Sequence, residues 1–349
     1  MRRNSYYLLP VAVCLVLACL SIRGTAAPAP FQSYAGAREE GGVARVVTAE
    51  QKLPAEATVT ILTCIESGDV LVRGWDRKEV RARSNDASRI ELRRADATAD
   101  PNPATRVEVL VARDMEEPAR PGLCSNSGNL ELDVPRGSTV QIKGNTGDIS
   151  VTGVANVRAR TLSGDIEVQR ATKSTEASSV NGTIIIRNSG GHVRLETIGG
   201  EIVASDLAVD EAANHFFAKS VSGEITLTNV AHTHVEAYSS NSAIDFTGAL
   251  ATGGLYTFKS HSGSVRLSLP ADASFQLNAK VHHSGEIVTD FPIRQVPVKM
   301  NEGGHKSATV GGPLLSEGRL TGVTGKGDRR DATLILSSFS GTLHLQRRQ

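Results

Sequence analysis

The sequence predicts an all-β protein of the β-solenoid class, a β-helix-like stack of two-strand repeats of about 20 residues with an N-terminal β cap. Three observations predict this fold. A four-residue turn motif recurs, apolar and polar residues alternate on both sides of each turn, and helical periodicity is absent from the repeat region. The chain has 349 residues, enough to bury a core, and 4% aromatic residues, so we expect an aliphatic core.

The turn motif consists of a small polar residue, a glycine, an acidic or small residue, and then a β-branched residue. Clear copies have their glycine at Gly147, Gly164, Gly182, Gly200, Gly223, Gly263 and Gly285, and outlying copies at Gly68, Gly128 and Gly341. Ser242 replaces the glycine in one degenerate copy. Counting that copy, the turns are 17 to 23 residues apart, which is too short for a unit that buries its own apolar face.

Each repeat therefore contributes one strand before its turn and one after it. Alternation predicts that Val157 and Ala159 point inward before a turn, and that Ile166 and Val168 do so after it. Stacking at about 4.8 Å per rung then builds an inward ladder of isoleucine and valine. Just inside the turns we expect a ladder of hydroxyl side chains that hydrogen-bond to one another, formed by Thr161, Ser179, Thr197, Ser220, Ser239 and Ser260.

The first 27 residues have the pattern of a signal peptide. Arg2 and Arg3 precede an apolar run from Tyr6 to Leu20, and small residues end at Ala27. The run is shorter than the ~20 residues needed to span a bilayer, so we expect cleavage after Ala27 and no transmembrane span in the mature chain. The alternative is processing at a lipoprotein-like box that leaves a lipidated Cys19.

Composition and turn signals divide the remainder of the chain. Residues 28–55 are expected to be a linker, residues 56–137 an N-terminal cap of β-strands, and residues 138–349 the solenoid. A stretch rich in glycine, 291–330, interrupts the repeat and is expected to be a loop insertion. It is either a binding loop or an excursion that reaches the last rung.

Two cysteines remain after the predicted signal peptide, Cys64 and Cys124. Each lies four residues before a turn glycine, so the two thiols share a column if those turns stack. In an exported chain this pattern favours one disulfide, and the alternative is two unpaired thiols.

Several motifs resemble those of the bacterial putative-adhesin family of β-strand-repeat proteins, an envelope-associated domain of unknown function. They are the segment from Leu132 to Gly137 before the first regular turn, the reiterated Ser-Gly-Asp-Ile turns, Gly74-Trp75-Asp76, and the closing segment from Leu334 to Leu345. The resemblance covers roughly residues 56–349 and implies an exported repeat protein. It implies no catalytic residues.

Acidic residues, histidines and aromatic residues were each considered as a source of chemistry. Acidic residues follow the turn glycine at Asp69, Asp148, Asp165, Glu201, Glu224 and Glu286. One carboxylate per rung is too few for calcium, so their expected role is in the turns. His232, His234, His261, His282 and His283 lack a carboxylate or cysteine at ligand spacing, and we identify no metal ligand, cofactor or catalytic residue. Phe217, Tyr238 and Tyr256 are expected to cluster across neighbouring repeats.

The sequence therefore predicts an exported cell-envelope protein, periplasmic, outer-membrane-associated or extracellular, that acts as a structural or adhesin-like binding module and not as an enzyme. Its expected partner is an envelope polymer or a surface protein. With 38 Lys and Arg against 37 Asp and Glu, no basic field favours nucleic acid. The alternatives are a carbohydrate-active enzyme on a β-helix scaffold and an accessory protein of envelope-stress signalling.

Overall fold

Strands and turns make up the regular structure of this protein in a computed structural model that describes residues 50–86, 88–96, 102–112, 124, 126–209, 214–295, 318–325 and 331–348. These residues belong to one structural unit, Val46–Gln349. No helix occurs in these ranges, and thus no helix that could cross a membrane. The predicted signal peptide, Cys19 and most of the predicted linker lie outside them.

The strands fall into three groups along the chain. The N-terminal group is β1 Glu50–Ser67, β2 Val70–Trp75, β3 Glu79–Arg83, β4 Arg89–Arg94, β5 Ala104–Ala112, β6 Asn126–Ser127 and β7 Leu130–Pro135. The central group is β8 Thr139–Thr146, β9 Ile149–Thr152, β10 Asn156–Ser163, β11 Ile166–Gln169, β12 Ser174–Asn181, β13 Ile184–Arg187, β14 His192–Thr197, β15 Ile202–Leu207, β16 His215–Ser220, β17 Ile225–Val230, β18 His234–Ser239, β19 Ile244–Thr247, β20 Leu255–Ser260 and β21 Val265–Pro270. The C-terminal group is β22 Phe275–Val281, β23 Ile287–Thr289, β24 Arg294–Gln295, β25 Arg319–Thr324, β26 Ala332–Ser338 and β27 Leu343–Arg348.

The central strands confirm the predicted solenoid. Strands that precede a turn pair in parallel with one another and form what we call the pre-turn sheet, and strands that follow a turn form the post-turn sheet. Ile166 lies between Ile149 and Ile184 of the neighbouring rungs. All three are at most 2% exposed, so the inward ladder is the core, as the alternation predicts.

The turn glycines also stack, and their backbones approach too closely for a side chain. A Cβ on Gly164 would fall far inside van der Waals contact of the Gly147 carbonyl, and Gly164 has a φ of +137°. Ser242 occupies the same column and donates its hydroxyl proton to the carbonyl of Ser222 at 2.6 Å. Close approach of turn backbones explains why glycine recurs in the motif.

The hydroxyl ladder is present but bonds differently from the prediction. Ser220 donates to the carbonyl of Gly200 on the preceding rung at 3.3 Å and accepts from the N–H of Gly223 in its own turn at 2.8 Å. Ser260 repeats this pattern with Ser242 and Gly263. The hydroxyls therefore fasten each turn to its own rung and to the preceding one instead of bonding to each other.

The N-terminal region contributes full rungs to the stack as well as a cap. β1 pairs in parallel with both β8 and β5, and β2 pairs with both β9 and β7. The rung that is first in the chain therefore lies second in the stack. β3 and β4 add antiparallel strands beyond it. β1 begins at Glu50, so the last residues of the predicted linker 28–55 are strand.

The C-terminal end shows the same exchange of order. β26 pairs in parallel with β20 and β22, and β27 pairs with β21 and β23. The last rung in the chain thus lies inside the preceding one. Part of the predicted loop insertion 291–330 is structured, because β25 pairs antiparallel with β22 and buries Leu320 to 1% exposure. The rest, residues 296–317 and 326–330, lies outside the described residues.

Candidate binding groove

The outward face of the post-turn sheet is neutralised by cross-strand ion pairs. Arg187 contacts Glu167 at 2.7 Å, and Arg266 contacts Asp245 at 2.6 Å. Asp245 also lies against Glu224, whose pKa is raised chiefly by this hydrogen bond. Such pairs satisfy neighbouring strands and leave little charge for a ligand.

The outward face of the pre-turn sheet instead carries a column of unpaired cations. In-register positions on successive strands hold the exposed side chains Lys143, Arg160, Lys219 and Lys259. None of these four forms an ion pair among the described residues. Glu196 belongs to the same column, and Arg194 beside it already takes its charge. The column is therefore net positive.

An apolar row runs along the corner next to these cations. It consists of the turn residues Leu162, Val180, Ile198 and Val221, of which Leu162 and Ile198 are 55% and 53% exposed. Phe339 extends the row toward the C-terminal end and is 43% exposed. Exposed large aliphatic and aromatic side chains in one row are typical of contact surfaces.

Between the cation column and this row lies a surface depression that we call the corner groove. Its two parts have volumes of about 690 Å³ and about 420 Å³, and Lys219 lines both. The larger part extends from Lys143 to Val221 and the smaller from Lys219 to Phe339. Eight rungs, from β8 to β26, contribute to it, which gives a length of about 34 Å at the spacing of stacked strands.

The aromatic prediction is correct for two of its three residues. Phe217 and Tyr238 lie on adjacent strands with ring centroids 5.7 Å apart, with Arg194 over Phe217 at 4.4 Å and Lys259 over Tyr238 at 5.5 Å. Tyr256 is wrong, because its ring is fully buried in the core. Its position starts the inward phase of β20, where the alternation was read in the opposite sense.

The acidic residues after the turn glycines bond to backbone, as expected. Asp69 accepts from the N–H of Asp148 at 3.0 Å, Asp148 accepts from Asp165 at 2.9 Å, and Asp165 accepts from Thr183 at 2.7 Å. Each carboxylate therefore joins two successive turns. The oxygens are distributed one per rung and do not converge on a point.

The histidines separate into three environments. His232 is fully buried and bonds through Nε2 to the carbonyl of Gly191 at 2.7 Å, and burial lowers its pKa. His261 and His283 do not lie on adjacent rungs, because β26 intervenes and its Phe339 stacks between their rings at 4.7 and 5.5 Å. His282 is exposed and lines the corner groove.

His234 has neighbours that sequence reasoning missed. It lies in register with His215 of β16, and both approach Glu236, two residues further along β18. Both histidines are the first residue of their strand, as is His192 on β14. Alignment of strand starts across the irregular 23-residue spacing is the signal that could have found this cluster.

The structure places Cys64 and Cys124 in a disulfide, with Cα atoms 4.9 Å apart. The turns that follow them stack, since Gly68 packs against Gly128. The bridge joins β1 to the segment that leads into β6, at the N-terminal end of the corner groove.

Comparisons with known proteins give a family and no ligand. No curated protein matches this chain. Among solved structures, one of a putative cell adhesion protein from Clostridium sporogenes ATCC 15579 covers 86% of this chain and 100% of its own, at 8% identity and a TM-score of 0.22, too low to carry an argument. The Toastrack DUF4097 model matches residues 123–312, more than half of the chain, and confirms the resemblance to a family of unknown function. This β-solenoid chain therefore belongs to the Toastrack DUF4097 family.

Proposed function

We propose that the protein is an exported, non-catalytic binding module of the cell envelope whose corner groove binds an extended anionic polymer. The observation that carries this proposal is the column of four exposed cations without ion partners along one wall of the groove. Elsewhere on the same repeats arginines are paired, as Arg158 is with Glu176 at 2.8 Å. Charge complementarity therefore favours an acidic ligand here.

The shape of the groove favours a chain over a compact ligand. It crosses eight rungs, and the repeat presents similar groups at each rung, so successive units of a polymer would meet successive cations. The apolar row offers Leu162, Ile198 and Phe339 to the less polar faces of such a ligand. A surface protein remains the alternative partner, which the experiment below distinguishes.

A carbohydrate-active enzyme is not supported by the groove. Glycoside hydrolysis needs two facing carboxyl groups. Among the described residues that line the groove, Glu196 is the one carboxylate, and it is bound to Arg194.

The test is binding of polygalacturonate, with dextran as the neutral polymer of matched length, to the mature chain at low and high salt. We expect saturable binding of polygalacturonate that salt weakens, and about a tenfold loss of affinity in the double variant Lys219→Glu/Lys259→Glu. The control is Arg170→Glu/Lys173→Glu, which makes the same charge change at exposed residues outside the groove. Equal losses in both variants, or equal binding of dextran, would overturn the proposal.

Export is tested separately by N-terminal sequencing of the protein recovered from envelope fractions. We expect the mature chain to begin at Pro28, and a chain that begins at a lipid-modified Cys19 would show lipoprotein processing instead. An intact Met1 would contradict export. The Cys64–Cys124 disulfide supports an oxidising compartment.

A further inference from the structure

Three potential metal ligands meet on the outward face of the pre-turn sheet. His215 and His234 are cross-strand neighbours, and Glu236 lies on the same face as His234. Glu236 Oε1 is 2.9 Å from Nε2 of His234 and 3.4 Å from Nε2 of His215. The ligand atoms of all three residues lie within 4.8 Å of one another.

Neighbouring side chains hold this cluster in place. Tyr238 donates its hydroxyl proton to Oε2 of Glu236 at 2.5 Å, which leaves Oε1 directed at the histidines. The ring of His192 stacks on His215 from the other side, with centroids 5.4 Å apart. Oriented second partners of this kind are typical of metal ligands, because they fix the direction of the lone pairs.

The chemistry of the donors selects the type of ion. Two imidazole nitrogens and one carboxylate oxygen suit zinc and similar divalent transition metals, whereas calcium and magnesium prefer sets made of oxygen alone. Zinc bonds of 2.0–2.1 Å place tetrahedral ligands about 3.3 Å apart, so the cluster has to contract by roughly 1 Å or less. The side chains are 25–43% exposed and can make this adjustment.

We propose that His215, His234 and Glu236 form a binding site for a divalent transition metal of the zinc type. Three protein ligands leave the fourth position of a tetrahedral ion open to water or to a donor atom of a bound ligand. The site lies beside the corner groove, since Tyr238 both orients Glu236 and lines the groove. The proposal does not depend on what the groove binds.

The test is titration of the untagged, metal-stripped mature chain with Zn²⁺ alone, followed by calorimetry, and with Co²⁺, followed by its visible absorption. We expect one equivalent of Zn²⁺ per chain and the strong visible bands of four-coordinate Co²⁺. His215→Asn and Glu236→Gln should each weaken Zn²⁺ binding by about 100-fold or more, because each removes a ligand at nearly constant size. The matched control His282→Asn, at an exposed histidine outside the cluster, should leave the affinity unchanged.

Tyr238→Phe tests the positioning of Glu236. It should weaken Zn²⁺ binding about tenfold and alter the Co²⁺ spectrum while the three ligands remain. Melting of the metal-free variants checks their folds, and the isosteric Glu236→Gln keeps the test valid if a histidine variant unfolds. Absence of saturable binding, or an equal loss in His282→Asn and Glu236→Gln, would overturn the site.

Discussion

The central rungs of the stack follow one another in chain order, whereas the rungs at both ends are exchanged. From β8 to β21 each rung lies directly on its predecessor in the sequence. At the N-terminal end the β1–β2 rung lies between β8–β9 and the rung of β5 and β7, and at the C-terminal end the β26–β27 rung lies between β20–β21 and β22–β23. The repeat motif thus specifies a rung, but it does not specify which rung is its neighbour.

The exchange is accompanied by closure of the sheet edges. A terminal parallel strand would expose unpaired N–H and C=O groups, a template for pairing with other chains. Here β4 covers β5, and β25 covers β22, both in antiparallel orientation. The inserted rungs pair on both sides, so their loss would separate an end of the stack from its centre.

The largest effect is expected where the centre is most restricted, at the stacked turns. Gly164→Ala forces a side chain to a φ of +137° and against the carbonyl of Gly147, so it should cost about 4 kcal/mol or more of the free energy of unfolding. Chemical denaturation followed by circular dichroism measures the loss.

Gly253→Ala separates the two causes. Gly253 also has a positive φ, +70°, but a Cβ there meets nothing within 4 Å. It should therefore cost only about 1 kcal/mol. Equal losses in the two variants would show that backbone conformation, and not the close approach of turns, requires glycine in the column.

The centre was predictable because one short pattern decides it. Alternation around Gly164 places Ile166 inward, and a repeated glycine column leaves a single register for parallel stacking. The ends were not predictable in this way, since β1 and β7 carry the same pattern and either could lie on β8–β9. Long-range pairing decides between them, and local sequence contains no term for it.

The candidate sites show the same division. The stacking of Cys64 beside Cys124 followed from equal distances to their turn glycines. The cation column and the His215–Glu236 cluster did not follow, because repeats of 17 to 23 residues displace equivalent outward positions along the chain. The position of Phe339 between His261 and His283 required the exchange of the C-terminal rungs.

The second prediction concerns the N-terminal end. Cys64→Ala/Cys124→Ala should lower the free energy of unfolding of the outer rung by about 3 kcal/mol, because the bridge closes a loop with a sequence separation of 60. Hydrogen exchange should then increase in β5 and β7 and stay constant in the central strands, since each rung contacts only its neighbours.

Reduction of the unmodified protein should give the same exchange pattern as the double variant. A uniform increase across the central strands would show that the stack unfolds as one cooperative unit, in which case the ends do not differ from the centre in the way that the topology indicates.

The smallest effect is expected at the C-terminal end, where β25 covers the last parallel strand. Leu320 is 1% exposed and lies opposite Ala279 of β22, so Leu320→Ala removes buried apolar volume from this cover. The expected loss is about 2 kcal/mol, at the lower limit for a buried leucine, because a terminal strand can settle into the vacated space. Hydrogen exchange should increase in β22 and β25 alone. Gln276→Ala, an exposed change on β22, should cost less than about 0.5 kcal/mol. If both variants are equally mild, β25 contributes nothing to closing the stack, and residues 291–330 act as an excursion rather than as a cap.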